Sequence, residues 1–162
     1  MELYCITVDS PIGELTLMAD SLALREIRFG GARPQFASCK ENAVLNLAAR
    51  ELEAYFRGAL RSFGVHVLPE GTDFQKRVWD ALVRIPYGQT ENYGSVAARI
   101  GSPRAARAVG QACHFNPIPI IIPCHRVLPS GGGLGGYAGG AEIKRWLIEL
   151  ENKVPDEKSP FI

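Results

Sequence analysis

The sequence has no long hydrophobic run: nowhere do its apolar residues approach the roughly 18 in succession that a membrane-spanning helix requires. Its amino-terminal stretch lacks the basic lead and apolar centre of a secretory signal peptide. Cysteines are few, four at irregular spacing in 162 residues, which does not suit a disulfide framework. We therefore expect reduced thiols, a cytoplasmic location and no membrane partner.

An excess of one charge is also lacking, because 18 Lys and Arg stand against 17 Asp and Glu, for a net charge of +1. This balance excludes a strongly basic surface over the whole protein. The distribution is uneven, since residues 72–150 contain nine Lys or Arg and five Asp or Glu. A local basic face in this half is compatible with a polyanionic partner.

Histidine is scarce, with three in the chain, and two of them directly follow cysteines, in Cys113-His114 and Cys124-His125. Paired metal ligands are normally separated by a few residues. Adjacent residues of an extended segment also point to opposite faces, so they cannot share one ion. We expect no metal site and no cofactor.

The first half of the chain predicts a small sheet covered by a helix. Three β-rich or alternating stretches separated by turns, at 3–8, 14–19 and 24–29, indicate a meander. Apolar residues at helical spacing follow from 41 to 60. Nothing in this half is typical of a catalytic residue. We assign residues 1–68 to an α/β domain.

The second half, residues 72–152, is mostly helical in this interpretation, and residues 153–162 form a loosely held tail. Its first helix begins with a capping box of Thr72 and Gln75. A closing helix places Lys144 and Glu151 on the flanks of its buried stripe rather than within it. The expected fold class is α+β.

Two further helices resemble a helix-turn-helix. The first runs from about Glu91 to Ile100, and Ser102-Pro103 opens the second as its N-cap and first helical residue. Polar residues share one face of the second helix, namely Arg104, Arg107, Gln111 and His114. Small apolar residues occupy the other face, namely Ala105, Ala108, Val109 and Ala112. The polar face is either a solvated surface or a binding surface, and this helix alone leaves both open.

The chain is organised around an apolar run at 120–122 that is followed by Pro123, Cys124 and His125. The β-branched run predicts a buried extended segment. A glycine-rich stretch from 131 to 140 predicts a loop that lets a ligand approach the backbone. Cys124 is then either a small buried hydrophobe or a nucleophile. Cooperation with His125 requires a sharp turn of the backbone or an intervening water.

Several motifs around this cysteine resemble the O6-alkylguanine-DNA alkyltransferase family. They match in order and spacing over residues 72–151, whereas the first 70 residues match loosely, chiefly through the segment 9–13. The principal motifs are Pro123-Cys124-His125-Arg126-Val127, Arg107-Ala108-Val109-Gly110, Asn116-Pro117, Ile85-Pro86-Tyr87-Gly88 and Gly135-Gly136-Tyr137-Ala138-Gly139-Gly140. The resemblance implies a ribonuclease-H-like α/β domain, then a mostly α, winged-helix-like domain with a helix-turn-helix.

The resemblance also implies a reaction. Cys124 accepts an alkyl group from O6-alkylguanine in DNA, irreversibly and once per molecule, with O4-alkylthymine as a possible second substrate. His125 takes the thiol proton through a water, and Glu151 orients His125. Asn116 ties the helix-turn-helix to the active-site segment.

On double-stranded DNA the resemblance implies a monomer that enters the minor groove and flips the damaged base out of the stack. Arg107 fills the gap, Tyr93 crowds the 3′ phosphate and bonds the guanine edge, and Arg104 and Gln111 lie on the same DNA-binding face. Further pocket residues are Val127, Tyr137, Ala138, Lys144 and Cys113. No amino-terminal zinc is implied, because Cys5 and Cys39 lack the matching histidines.

Three rival functions differ from this one. Alkyltransferase-like proteins bind and flip alkylated bases without transferring anything, but they lack the acceptor cysteine. A Cys-His hydrolase would turn over repeatedly. A simple helix-turn-helix regulator would leave the cysteine segment and the glycine-rich stretch unexplained.

Overall fold

The chain opens with three antiparallel strands in consecutive order. The structure is a computed structural model that describes residues 2–31, 38 and 40–153. The strands are β1 (Tyr4–Val8), β2 (Leu15–Ala19) and β3 (Leu24–Phe29). Leu17 of the central strand pairs with Ile6 on one side and Ile27 on the other, and all five residues of β2 are buried. The predicted meander is confirmed.

One helix, α1 (Ala43–Phe56), packs on this sheet through a buried stripe that includes Leu52 and Tyr55. It begins at Asn42, whose side chain caps the amide of Leu45. It ends earlier than the predicted residue 60, because Gly58 adopts a φ of +76° that a helix cannot continue through.

The second half contains four α-helices in the described part: α2 (Asp73–Val83), α3 (Tyr93–Arg99), α4 (Ala106–His114) and α5 (Ala141–Asn152). The predicted capping box of Thr72 and Gln75 is present at the start of α2. The indole nitrogen of Trp79 donates to the Ala112 carbonyl over 2.9 Å and so fastens α2 to α4.

The predicted helix start at Glu91 is wrong by two residues. Glu91–Asn92 is a short strand, β4, which pairs in parallel with β5 (Val127–Leu128). Asn92 then caps α3 by accepting the Ser95 amide hydrogen. The sequence favoured helix at these two positions because the partner strand lies 36 residues away, beyond any local pattern.

The prediction that Ser102-Pro103 opens the next helix is also wrong. The Ser102 amide donates back to the Ala97 carbonyl, and the chain makes a further turn before α4 begins at Ala106. Arg104 therefore precedes the helix that it was predicted to share with Arg107. Ala108, which was predicted to lie on the face opposite Arg107, is exposed. The face of α4 that packs inward consists of Val109, Ala112 and Cys113.

The apolar run before the cysteine is buried, as predicted, but it is not extended. Ile120 has a φ of +76°, and the Ile122 amide donates to the Ile118 carbonyl, so the run folds into a tight turn. A β-branched residue with positive φ costs energy and persists only where its surroundings enforce it. A 3₁₀ turn, Cys124–Arg126, follows at once.

Buried side chains from both halves form one hydrophobic core, from Leu17 and Leu52 to Leu82 and Val96. The Ile27 amide of β3 also donates to the Pro117 carbonyl over 2.9 Å. No helix in the described ranges is long and apolar enough to cross a membrane. Of the predicted tail, only Lys153 lies within the described residues.

Candidate active site

Cys124 lies at the start of the 3₁₀ turn and is only 4% exposed. Burial raises the pKa of its thiol to about 11, although Asn116 and Lys144 pull that pKa downwards. The thiol is therefore protonated near neutral pH. A buried thiol of this kind can act as a nucleophile only if a base removes its proton.

A histidine and a carboxylate form a buried pair beside this cysteine. His125 Nε2 lies 2.7 Å from Glu151 Oε2, and both side chains are shielded from solvent. Burial by itself favours the neutral acid, but hydrogen bonds from His125, Arg126 and Tyr55 outweigh it and lower the pKa of Glu151 to about 2. Glu151 is consequently an anion that only accepts hydrogen bonds.

This anion decides where the proton of His125 resides. Nε2 must carry hydrogen to donate to Glu151, so the lone pair of the neutral ring lies on Nδ1. Burial lowers the pKa of His125, and the hydrogen bond to Glu151 opposes this only in part. The lowered pKa keeps the ring neutral. Nδ1 is buried without a hydrogen-bond partner among the described residues. Buried polar atoms usually bind water when protein offers no partner, and such a water suits proton transfer from the thiol.

Asn116 holds the backbone turn that precedes the cysteine. Its side-chain nitrogen donates to the Ile122 carbonyl over 2.8 Å, and its oxygen accepts the Ile118 amide over 2.9 Å. The two bonds span the strained Ile120 and connect the end of α4 with the segment leading to Cys124. This is the connection that the sequence resemblance implied for Asn116.

Tyr93 lies between α4 and the glycine-rich stretch. The β4–β5 pair brings residues 91–92 beside 127–128, and so sets the start of α3 next to the cysteine turn. The Tyr93 ring lies 3.9 Å from the position that a Cβ on Gly110 would occupy, and its hydroxyl lies 3.1 Å from the corresponding position on Gly135. A side chain on Gly110 would make only an ordinary contact with this half-buried ring, whereas one on Gly135 would crowd the Tyr93 hydroxyl.

Lys144 is fully buried, contrary to the flanking position predicted for it, and Glu151 is also buried. The Lys144 ammonium donates to the Val127 carbonyl over 2.8 Å and to the Gly136 carbonyl over 3.4 Å. The apolar stripe of a helix cannot predict that these two charged residues are buried, because their hydrogen-bond partners come from other segments. Lys144 thus joins α5 to β5 and to the glycine-rich stretch.

The remaining predicted pocket residues differ in exposure. The Tyr137 ring packs edge-on against Phe29 of β3, with centroids 5.8 Å apart, and its buried hydroxyl has no hydrogen-bond partner within the described ranges. Ala138 is exposed at the loop surface. Cys113 is buried on α4, and burial, with the neighbouring Cys124, raises the pKa of its thiol to about 12.

The predicted DNA-binding residues form an exposed surface on and beside α4. Arg107 and Gln111 project from the helix to solvent, and Arg104 projects from the turn before it. His114 and the 60% exposed Phe115 continue this surface at the other end of the helix. The structure therefore keeps the predicted polar residues together, with Arg104 supplied by a turn.

Two family descriptions match the sequence in succession. The 6-O-methylguanine DNA methyltransferase ribonuclease-like domain matches residues 3–69, and the DNA binding domain of the same family matches residues 73–153. The chain belongs to the 6-O-methylguanine DNA methyltransferase family. The expected α+β fold, a ribonuclease-like domain followed by a helical DNA-binding domain, is confirmed.

Named relatives cover nearly the whole chain. The methylated-DNA–protein-cysteine methyltransferase of Methanosarcina acetivorans is 48% identical over 92% of this chain and 98% of its own length. The enzyme of the same name from Mycobacterium tuberculosis is 47% identical over 96% of both chains.

Solved structures of the Mycobacterium tuberculosis protein superpose closely. Its O6-methylguanine methyltransferase has a TM-score of 0.86 at 45% identity, over 96% of both chains. The complex of the Mycobacterium tuberculosis protein OGT with DNA has a TM-score of 0.84 at 46% identity, over 94% of this chain and 93% of that one.

Two residues of the site were not predicted from the sequence. Arg126 donates to both oxygens of Glu151, over 2.8 and 3.1 Å, and to the Ile85 carbonyl over 2.7 Å. Its position directly after His125 in the cysteine motif could have marked Arg126 as a residue of the site. Tyr55 donates to Glu151 Oε2 over 2.5 Å from the first half of the chain, where nothing in the sequence is typical of a catalytic residue. No local pattern marks it.

Among the residues that the structure describes, no cluster of three or more His, Cys, Asp or Glu could hold a metal ion. Cys39, one of the two amino-terminal cysteines considered as zinc ligands, lies outside the described residues.

Proposed function

We propose that this protein repairs DNA by transferring the alkyl group of O6-alkylguanine to Cys124, irreversibly and once per molecule. The observation that carries the proposal is the arrangement of a buried Cys124 next to a neutral His125 that an ionised Glu151 anchors. Membership of the methyltransferase family and the named relatives support the same activity. O4-alkylthymine is a second candidate substrate.

In the proposed reaction the Cys124 thiol gives its proton, through a water, to Nδ1 of His125. Glu151 stabilises the resulting imidazolium because its carboxylate stays ionised. The thiolate then attacks the alkyl carbon, so that a sulfur–carbon bond forms while the bond from carbon to guanine O6 breaks. The leaving guanine takes the electron pair on O6, where hydrogen-bond donors stabilise it.

The pocket proposal assigns each remaining residue a contact. The carbonyls of Cys124 and Val127 accept from the guanine amine; a carbonyl has two lone pairs, so Val127 can serve both Lys144 and the base. The Ala138 amide donates towards O6. Tyr137 forms a wall, and the small Cys113 side chain leaves space beside the alkyl group.

The DNA proposal uses the surface on and beside α4. In duplex DNA the guanine is stacked and base-paired, so its O6 atom cannot enter a pocket of the protein. The nucleotide must therefore be flipped out, at a cost of a few kcal/mol. We assign Arg107 to the vacated position in the stack, Tyr93 to the 3′ phosphate and guanine edge, and Arg104 and Gln111 to the minor groove. The exposure of Arg107 and Gln111 on one helix supports this assignment.

The alternative is a non-transferring, alkyltransferase-like binder of damaged DNA. The acceptor Cys124, its His125–Glu151 pair and relatives named as methyltransferases favour transfer instead. We further propose that the protein acts as a monomer, since one chain supplies the acceptor, the base and the DNA-binding surface. The cytoplasm remains its proposed location.

The decisive experiment is the intact mass of the protein after incubation with a duplex oligonucleotide carrying one O6-methylguanine. We expect the gain of one methyl group per molecule, mapped to the Cys124 peptide, and no gain in Cys124→Ala, which should still bind the oligonucleotide. Tight binding without any mass change would instead assign the chain to the non-transferring binders. Methylation of the Cys124→Ala variant would exclude Cys124 as the acceptor.

A further inference from the structure

The carboxylate of Glu151 receives hydrogen bonds from both halves of the chain. His125 and Arg126, next to the cysteine, supply donors from the second half. Tyr55, at the inner end of α1 and 96 residues before Glu151, supplies a donor from the first half. Its hydroxyl and His125 Nε2 share one oxygen, Oε2, at 2.5 and 2.7 Å.

We propose that Tyr55 is a positioning residue for alkyl transfer, whose hydroxyl holds Glu151 Oε2 against His125 Nε2. The inference rests on the proposed function and adds the first domain to its machinery. Arg126 holds Oε2 less firmly than Tyr55 does. Its shorter bond goes to Oε1, and its bond to Oε2 is 3.1 Å long. The Gly88 amide also donates to Oε1, over 3.4 Å. Without Tyr55, the remaining bonds from Arg126 and Gly88 therefore hold chiefly Oε1, and Oε2 is left free to shift away from His125.

The surroundings of Tyr55 suit a rigid donor. Its side chain is fully buried, and three aromatic rings surround it: Phe56, Phe63 and Tyr87 at centroid distances of 5.5, 5.4 and 6.2 Å. Burial, with the charge on Glu151, raises the pKa of Tyr55, so its hydroxyl keeps its proton over the working pH range. A closely packed hydroxyl that stays protonated is suited to hold the carboxylate in one position.

The consequence concerns proton transfer rather than substrate binding. Near neutral pH, the proposed transfer of the Cys124 proton to His125 depends on stabilisation of the imidazolium by Glu151. A displaced Oε2 weakens that stabilisation, so a higher pH is needed to form the same fraction of thiolate. Hydrogen bonds to charged groups are typically worth a tenfold effect or more.

The test is the rate of Cys124 alkylation by free O6-benzylguanine as a function of pH, in the full-length protein and in Tyr55→Phe. This small substrate separates the chemistry from DNA binding. We expect a roughly tenfold slower reaction near neutral pH, an acid limb displaced to higher pH by about one unit, and convergence with the parent protein at alkaline pH. Rates are normalised to the fraction of protein that is finally labelled.

Tyr87→Phe is the matched control. It removes a hydroxyl from a ring in contact with Tyr55, but that hydroxyl makes no hydrogen bond to Glu151 in the described structure. Its pH profile should coincide with that of the parent protein. A second check adds Tyr55→Phe to Glu151→Gln, where little further loss is expected because Tyr55 acts through Glu151.

Four results would overturn the inference. An unchanged profile, or a loss of equal size at every pH, would reduce Tyr55 to a packing residue. An acid limb displaced to lower pH would mean that its hydroxyl merely weakens Glu151 as an acceptor. If the parent protein labels neither with O6-benzylguanine nor with the O6-methylguanine duplex, the proposed function falls, and the inference falls with it. If the parent labels with the duplex alone, the duplex replaces O6-benzylguanine in the pH series; normal labelling of the parent confines any failure to Tyr55.

Discussion

At the scale of single residues, the site depends on a carboxylate that stays ionised away from water. Removing one partner from a buried charge is expensive, whereas a fully hydrogen-bonded charge is tolerated. Glu151 accepts from Tyr55, His125 and Arg126, and these donors explain why the pKa of Glu151 falls instead of rising on burial. The same donors make it an anchor for His125 rather than a base of its own.

Glu151→Gln tests this role. The amide cannot stabilise an imidazolium, so the apparent pKa of the Cys124 thiol should rise, and alkylation near neutral pH should slow by about tenfold or more. The substitution also leaves Arg126 without its anion, which should cost about 3–5 kcal/mol of stability. The pH profile of alkylation by O6-benzylguanine and urea unfolding measure the two effects. An unchanged profile would remove Glu151 from the proton relay.

At the scale of elements, α4 and the segment after it serve two surfaces. The inner face of α4 packs through Val109 and Ala112, while Arg107 points to solvent. Directly after the helix, Asn116 holds the turn around Ile120 that delivers Cys124. A shift of the helix against DNA would therefore reach the cysteine through a short, hydrogen-bonded connection.

Arg107→Ala tests the outer surface of this element. If Arg107 fills the position of the flipped base, its loss should slow repair of O6-methylguanine in a duplex by about tenfold or more. Alkylation by free O6-benzylguanine should change little, because no base is flipped there. Single-turnover rates with both substrates make the comparison, and the small substrate is the internal control. Equal losses with both substrates would argue against a role in flipping.

At the scale of the whole molecule, the first domain contacts the segments that hold the proposed site. Ile27 bonds the Pro117 carbonyl, Phe29 packs on Tyr137 of the glycine-rich stretch, and Tyr55 bonds Glu151. All three contacts reach segments that carry or adjoin residues of the proposed site. The two domains therefore act as one structural unit around Cys124.

This arrangement makes global stability sensitive to acid. The pKa of Glu151 is lower in the folded protein than in the unfolded chain, so the unfolded chain binds the proton more tightly. The stabilisation is complete above the ordinary carboxylate pKa and is lost as the pH falls from about 4.5 towards about 2. The pKa of buried His125 is also lowered, so its protonation below its ordinary pKa of 6.5 destabilises the fold in the same direction.

We expect the free energy of unfolding to decrease between about pH 6.5 and 2, with about 3 kcal/mol of this decrease due to Glu151. Urea unfolding followed by circular dichroism at several pH values measures it. Glu151→Gln should be less stable at neutral pH and show a shallower decrease below pH 4.5. A variant with the same slope as the parent would exclude Glu151 as a source of the acid sensitivity.

Much of the fold follows from local signals in the sequence. The meander follows from alternation and turn residues, because a strand with one buried face needs period two. The start of α2 follows from Thr72 and Gln75, whose side chains satisfy the free amides of the first turn. The motif around Cys124 identified the family, since its order and spacing are far too specific to arise from composition.

What the tertiary structure alone decided are contacts between segments that are distant in sequence. β4 forms only because β5 lies beside it. The run at Ile120 turns because Asn116 and the surrounding core enforce a conformation that β-branched residues avoid by themselves. Lys144 and Glu151 are buried because Val127, Arg126 and Tyr55 offer them partners. Local patterns encode the preferences of a segment, but a buried charge and its partner are matched only when the whole chain has folded.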